Sequence, residues 1–176
     1  ASGKSTLALR LAHSFNYLYF DTGVMYRAVT WAALQQNLDL DDEVAVTSLA
    51  ETAVIDVHAP SIADGRPNDV LVDDQDVTWG IRSRQVEAHV SKVSAYPGVR
   101  RALTRQQRLI GLRGQVVMVG RDIGTVVLPE ADLKIFLVAS AEQRARRRYL
   151  ELRGRGEPAD YEAILAAMRQ RDLWDS

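Results

Sequence analysis

A Gly-Lys-Ser-Thr quartet, Gly3 to Thr6, stands directly ahead of an amphipathic run, and it narrows the folds open to this chain more than anything else in it. Leu7, Leu9, Leu11, Ala12 and Phe15 follow with helical spacing, so Ala1 to Asn16 reads as a helix opening straight out of a glycine-containing loop. Ala1-Ser2-Gly3-Lys4-Ser5-Thr6 fits the end of the pattern G-x-x-x-x-G-K-[ST] with one residue more. The first glycine of that pattern and the strand feeding it are therefore expected upstream of Ala1, and the chain is expected to be truncated at both ends. Such a loop turns its backbone N–H groups toward phosphate at a helix N-terminus, where unpaired donors and the helix dipole both favour an anion. Lys4 would neutralise the β- and γ-phosphates of a nucleotide and the Ser5 hydroxyl would hold Mg²⁺. Taken alone the tripeptide is weak, because Gly3 can simply precede a helix and Lys4 be a solvated charge; the context has to carry it.

That context is α/β. Tyr17 to Phe20 reads as a short aromatic strand, Asp21-Thr22-Gly23 breaks it, and Met25 to Gln36 continues as a second amphipathic helix. From Val54 to Val77 the texture changes. Val54 to His58 and Asp69 to Val72 alternate as strands do, around a turn-rich Pro60 to Pro67 stretch, which predicts a small β-containing insertion. Trp79 to Ala95 and Gly98 to Ile110 read as helices separated by Tyr96-Pro97-Gly98. Gln115 to Val119 and Leu133 to Val138 are nearly continuous apolar runs, as expected of parallel strands covered on both faces. Ala141 to Leu152 and Tyr161 to Gln170 are predicted helices.

Composition excludes several classes. The 176 residues are 47% hydrophobic and 26% charged, which suits one globular domain with a small insertion. No cysteine is present, so no disulfide or thiolate metal site can form, and a reducing interior is permitted. His13, His58 and His89 lie far apart and read as ordinary surface or packing residues. No apolar run approaches the roughly 20 residues that cross a bilayer, so a soluble, cytoplasmic protein without membrane partners is expected. The formal net charge of -1 argues against a general nucleic-acid binder. Yet Arg144, Arg146, Arg147, Arg148, Arg153 and Arg155 crowd into one stretch, and such a cluster suits a small polyanion.

Further segments resemble one family. Asp21-Thr22-Gly23-Val24-Met25-Tyr26-Arg27 is similar to the D-[ST]-G-x-x-Y-R motif of bacterial cytidylate kinases, and Gly120-Arg121-Asp122-Ile123-Gly124-Thr125-Val126-Val127 to their G-R-D-[IM]-G-T-V-V signature. Ser91 to Arg100 and Arg171-Asp172-Leu173-Trp174-Asp175-Ser176 match in the same order, so the resemblance runs the length of the chain. It implies a P-loop nucleoside monophosphate kinase: a parallel sheet with helices on both faces, a β-containing monophosphate-binding insert and a short arginine-rich lid. The implied division is a core of residues 1–53 and 98–176, with the lid at about 144–160, and an insert of residues 54–97.

The resemblance also implies roles. Ala1, Ser2, Gly3, Lys4, Ser5 and Thr6 would hold ATP. Arg27 and Arg121 would bind the CMP α-phosphate, a guanidinium offering paired donors that match phosphate oxygens. Thr22 would donate to the same phosphate or cap the following helix. Ser91, Arg100 and Asp122 match the cytosine-recognising positions, although Ser91 could be a plain polar helix position and Asp122 a structural partner of Arg121. Arg171 and Asp175 match positions that hold the ribose and the transferring phosphates, and the family carries a further arginine two residues beyond Ser176. Arg144, Arg147 and Arg148 fit the R-x-x-R-R pattern of the lid, with a solvated face paired to Glu142 and Glu151 as the alternative. Lys4, Arg121, Arg144 and Arg147 are the expected catalytic residues.

One departure stands out. Many members have an acidic residue just before G-R-D, which the resemblance implies assists Mg²⁺ through water, where this chain has Val119. Asp21 is the acidic group nominated in its place, with a capping role as the alternative. The implied reaction moves the ATP γ-phosphate to CMP or dCMP, with Mg²⁺, in a monomer. A kinase for UMP or another monophosphate, and a non-catalytic nucleotide-binding module, are the alternatives.

Overall fold

The strand expected at Tyr17–Phe20 forms one residue later, as β1 (Leu18–Asp21), and runs parallel to β5 (Val116–Val119). Leu18 lies opposite Val116 and Asp21 opposite Val119. The computed structural model describes residues 3–175. They cluster into two units, residues 7–132 and residues 3–6 with 133–175. Helix α1 (Lys4–Phe15) starts in the second unit and continues into the first.

In the larger unit, α2 (Gly23–Gln35) buries Met25, Ala28, Val29, Ala32 and Ala33. Around them gather Phe20 of β1, Val57 of β2 (Ile55–His58), Val70 and Val72 of β3 (Asp69–Val72), and Leu103 and Ile110 of α5 (Pro97–Gly111). Each fully buried large apolar side chain contributes about 1.5–3 kcal/mol relative to exposure. Pro97 sits in the first turn of α5, where its missing N–H would have no partner in any case. Helix α3 (Glu43–Thr52) was not anticipated from the sequence, although Asp42 caps it by accepting from the Ala45 N–H at 3.0 Å, and Val46, Leu49 and Ala50 form its buried stripe.

Both strands expected between Val54 and Val77 form, with one strand more. β2 pairs antiparallel with β3, and β3 with β4 (Gln75–Asp76) across Asp73 and Asp74, both left-handed at φ of 48° and 63°, as a two-residue hairpin turn requires. Arg66 is buried behind this hairpin and donates to Asp64, Asp69 and Asp76, at 2.8, 2.9 and 2.7 Å. The buried Asn68 donates from Nδ2 to the Tyr19 carbonyl at 3.1 Å, tying the insertion to β1.

Two expectations need correction. Trp79 to Ala95 is not one helix but a 3₁₀ turn (Gly80–Arg82) followed by α4 (Arg84–Val93). Ser83 lies extended between them, at ψ 155°, and its hydroxyl accepts from the Val86 N–H at 3.3 Å, so the chain restarts there as a capped helix. Leu133 to Val138 is not a strand, and Leu133 and Phe136 are 76% and 90% exposed. An apolar run becomes a strand only where a neighbour completes its backbone ladder, and no strand among the described residues pairs with this one. In the smaller unit the order lies instead in α6 (Ala141–Gly154) and α7 (Tyr161–Asp175), joined by an edge-to-face Tyr149–Tyr161 contact at 6.3 Å. The architecture as a whole is the expected mixed α/β one, with a parallel strand pair and flanking helices.

Candidate active site

Within the smaller unit, Gly3 has φ +92°, a left-handed conformation suited to glycine, and α1 begins at the next residue. Lys4, Ser5 and Thr6 occupy the exposed first turn, which holds no acidic residue to compete with an anion for its N–H groups. A Cβ placed on Gly3 would lie 3.4 Å from Nη1 of Arg147, so this unit brings an arginine of the cluster against the glycine that precedes α1. Ala1 and Ser2 lie outside the described residues.

Arg144, Arg148 and Arg155 of the same cluster are held by carboxylates. Arg144 donates from Nη1 to Oδ1 of Asp172 at 2.9 Å, from Nη2 to Oδ2 of the same residue, and from Nε to the Ala139 carbonyl at 3.1 Å. The Asp172 hydrogen bonds push its pKa above the ordinary arginine value. Arg148 and Arg155 share Glu151, at 3.2 and 2.6 Å. Glu142, expected as a partner of the cluster, instead meets Arg169 at 2.8 Å, and that bond brings its carboxyl down to about 2. Arg171 and Asp175 fall in the last turn of α7, and their side chains lie outside the described part of the structure.

The larger unit joins the two signature turns. Val119 ends β5, and its carbonyl accepts both the Thr22 N–H at 2.9 Å and the buried Thr22 hydroxyl at 3.1 Å. Thr22 stands at the N-cap position of α2 but accepts no capping bond; Asp21 does this, its carboxylate accepting from the Gly23 N–H at 3.0 Å. Behind Val119, Gly120 has no room for a side chain, since a Cβ would meet Ile123 Cδ1 at 2.6 Å and Thr22 Oγ1 at 2.7 Å. The turns Asp21–Gly23 and Gly120–Asp122 thus leave the carboxyl ends of two paired parallel strands side by side, where open α/β sheets bind their ligands.

Side chains from four elements gather on this frame. Arg100 of α5 donates from Nη2 to Oδ2 of Asp122 at 2.7 Å, and its guanidinium carbon lies 6.0 Å from the centre of the Tyr26 ring. Asp122 is thereby bonded to Arg100, a pair that sequence spacing does not reveal. Burial pushes the Tyr26 phenol above its ordinary range and Asp122 adds to this, while Arg100 and the Gln107 amide act against it. Arg27, on the same helix as Tyr26, donates from Nη2 to Glu87 of α4 at 2.5 Å, with a long 3.5 Å contact from Nη1 to the Ile81 carbonyl. Ser91 is exposed one helical turn beyond Glu87, and Arg121 is exposed at the start of the second signature turn. Arg108 fixes the segment behind that signature through the Val127 carbonyl at 2.7 Å and Glu130 at 2.5 Å.

Glu87 and Arg108 escaped the sequence reading. The four-residue step from Glu87 to Ser91 on one predicted helix face was the available signal for the first; nothing local marks the second. His58 and His89 serve as ordinary polar residues, meeting Asp56 at 3.3 Å and the Gln85 carbonyl at 2.8 Å. A depression of about 460 Å³ lined by Gln36, Leu38, Ser48, Leu49, Thr52 and Asp73 offers no cationic group to an anion. No helix among the described residues is long and apolar enough to cross a membrane.

The sequence pattern of the family described as "Cytidylate kinase" matches residues 1–176. The chain is 58% identical over 176 residues to the "Cytidylate kinase" of Chloroflexus aggregans, covering 100% of this chain and 76% of that protein. It is 52% identical to that of Herpetosiphon aurantiacus, over 100% of this chain and 77% of the relative. With the "Cytidylate kinase" of Bacillus velezensis the identity is 46%, with 100% and 77% covered. Over its whole length, then, this chain belongs to the cytidylate kinase family.

Proposed function

We propose that the reaction carried by this family, transfer of the ATP γ-phosphate to CMP or dCMP, is performed in this chain by the residues that the two signature turns and the glycine loop present. The observation that carries the assignment is the Val119 carbonyl joined to Thr22 at the shared strand ends, which sets Tyr26 and Arg27 on one side and Arg121 and Asp122 on the other. In this reading Arg27 and Arg121 take the CMP phosphate, with Thr22 free to join them once its hydroxyl leaves Val119. Ser91, Arg100 and Asp122 read the cytosine edge. Arg171 and Asp175 hold the ribose and the transferring phosphate. Ala1 to Thr6 cradle ATP.

A CMP phosphate oxygen attacks the γ-phosphorus in line; the new P–O bond forms as the bond to the β-phosphate oxygen breaks, leaving ADP. No general base is needed, because the attacking oxygen is already anionic at neutral pH. Catalysis is then positioning and charge placement by Lys4, Arg121, Arg144 and Arg147. Closing the lid over residues 144–160 would exclude water. Ser5 is the candidate direct ligand for Mg²⁺, and Asp21 a ligand through water. Both are hard oxygen donors, and among the described residues no three His, Asp or Glu side chains cluster as a protein cage, which suits a metal held chiefly by phosphate and water. Bound there, the metal supplies positive charge to the transferring phosphate.

We assign residues 1–53 and 98–176 to the kinase core and 54–97 to the monophosphate insert, in a monomeric cytoplasmic enzyme. CMP-dependent ADP release tests the assignment against a non-catalytic nucleotide binder, which would show none. Rates with CMP, dCMP and UMP test the base: a preference for UMP would defeat the cytosine reading.

A further inference from the structure

Arg27 is a candidate phosphate-binding arginine whose partner in the structure, Glu87, has no place in the proposed reaction. Its side chain is 29% exposed and packs between α2 and α4, whereas Glu87, which it meets at 2.5 Å, is 67% exposed. The contact is single-pronged, through one carboxylate oxygen. A guanidinium can offer a phosphate two parallel N–H groups, and a monoester dianion carries twice the charge of a carboxylate. The arginine is therefore the fixed half of the pair and the carboxylate the replaceable half. Glu87 also stands four residues before Ser91, on the face of α4 assigned to the base.

We propose that Glu87 is a specificity-determining residue, an internal competitor that holds Arg27 in place of the substrate phosphate and is exchanged for it when a nucleoside monophosphate binds. The inference rests on the reading of Arg27 as a phosphate ligand. The glutamate swings into solvent when the phosphate arrives, and what it subtracts from binding is the strength of an exposed ion pair. That strength corresponds to roughly two- to fivefold in affinity. The effect is confined to ligands that carry the phosphate, so cytidine, which lacks it, binds without regard to Glu87.

Calorimetric titration with CMP and with cytidine, on the unchanged protein and on Glu87→Gln, Glu87→Ala, Arg27→Ala and Arg27→Ala/Glu87→Gln, decides the matter. The expected result is about two- to fivefold tighter CMP binding in both Glu87 variants. Cytidine binding should be unchanged, and the CMP gain should vanish in the Arg27→Ala background. Thermal melts of each variant confirm that it is folded. If Arg27→Ala weakens CMP binding but the Glu87 variants leave it equal or weaker, the competitor role is overturned and the phosphate role of Arg27 stands. If Arg27→Ala leaves CMP binding unchanged, the phosphate role falls and the competitor role with it.

Discussion

Arg100 and Asp122 stand 22 residues apart in sequence and are joined across 2.7 Å, and the guanidinium also overhangs the ring of Tyr26. In the proposed reading the carboxylate accepts from the exocyclic amine of cytosine and the guanidinium donates to its ring nitrogen, an order of acceptor and donor that uracil, with an oxygen and a ring N–H at those places, reverses. The side chains are 46% and 33% exposed, so the pair adds little to stability and is free to turn toward a base.

Arg100→Ala should therefore lower the ratio of kcat/KM for CMP over UMP by about tenfold or more, because the lost groups act on one base and not the other. Asp122→Asn should move the ratio the same way. Steady-state kinetics with both nucleotides checks this, and an unchanged ratio would remove the pair from base recognition.

Lys4 is exposed in the first turn of α1, and its replacement by alanine should leave the melting temperature within about 2 °C, as for surface substitutions. Yet kcat should fall by roughly 10²–10³, the cost of removing a preorganised charge from the transferring phosphoryl group. Paired melting and single-turnover measurements separate these effects.

Gly120→Ala would drive a methyl group to 2.6 Å from Ile123 and 2.7 Å from the Thr22 hydroxyl. Overpacking of this kind costs about 1–3 kcal/mol, which should lower the melting temperature by roughly 3–10 °C. Because Thr22 must shift, CMP affinity should fall as well. Gly114→Ala, with nothing within 4 Å of the added carbon but a φ of +76°, is the control for backbone strain alone.

The Arg66 knot makes stability depend on acid. Thr78 and then Arg66 hold the Asp76 carboxyl down to about 2, and Arg66 holds Asp64 lower still. A carboxylate whose folded pKa is depressed stabilises the fold above its unfolded value, near 4, and loses that contribution as pH falls toward the folded value. Arg66→Met, which leaves the three aspartates uncompensated, should lower the melting temperature at pH 7 by about 5–10 °C. The gap should narrow between about pH 4 and pH 2 as those carboxyls protonate. Thermal melts across that range check the sign.

Much of this was legible in the residues because local physics decides it. Periodicity located α1, α2, α5, α6 and α7 to within a few residues, and alternation located β2 and β3. Where the reading failed, the decision was made elsewhere in the chain. Leu133–Val138 has the composition of a buried strand, but strand formation depends on a partner that composition cannot supply. Trp79–Ala95 has helical spacing throughout, yet the Ser83 hydroxyl satisfies the Val86 N–H and divides it. At the site, the two signature turns announced themselves as contiguous motifs. The ion pairs Arg27–Glu87 and Arg100–Asp122, 60 and 22 residues apart in sequence, exist only once α2, α4 and α5 have packed.

The doubly engaged Val119 carbonyl has an implication for how this protein can change. With Thr22 clasped to it through both amide and hydroxyl, the two signature turns behave as one casting, and neither backbone can be re-aimed while the other stays put. Any drift toward a new nucleotide must then be written in side chains, whether mounted on that frame or at positions such as Ser91 and Glu87, whose helix lies outside the clasp.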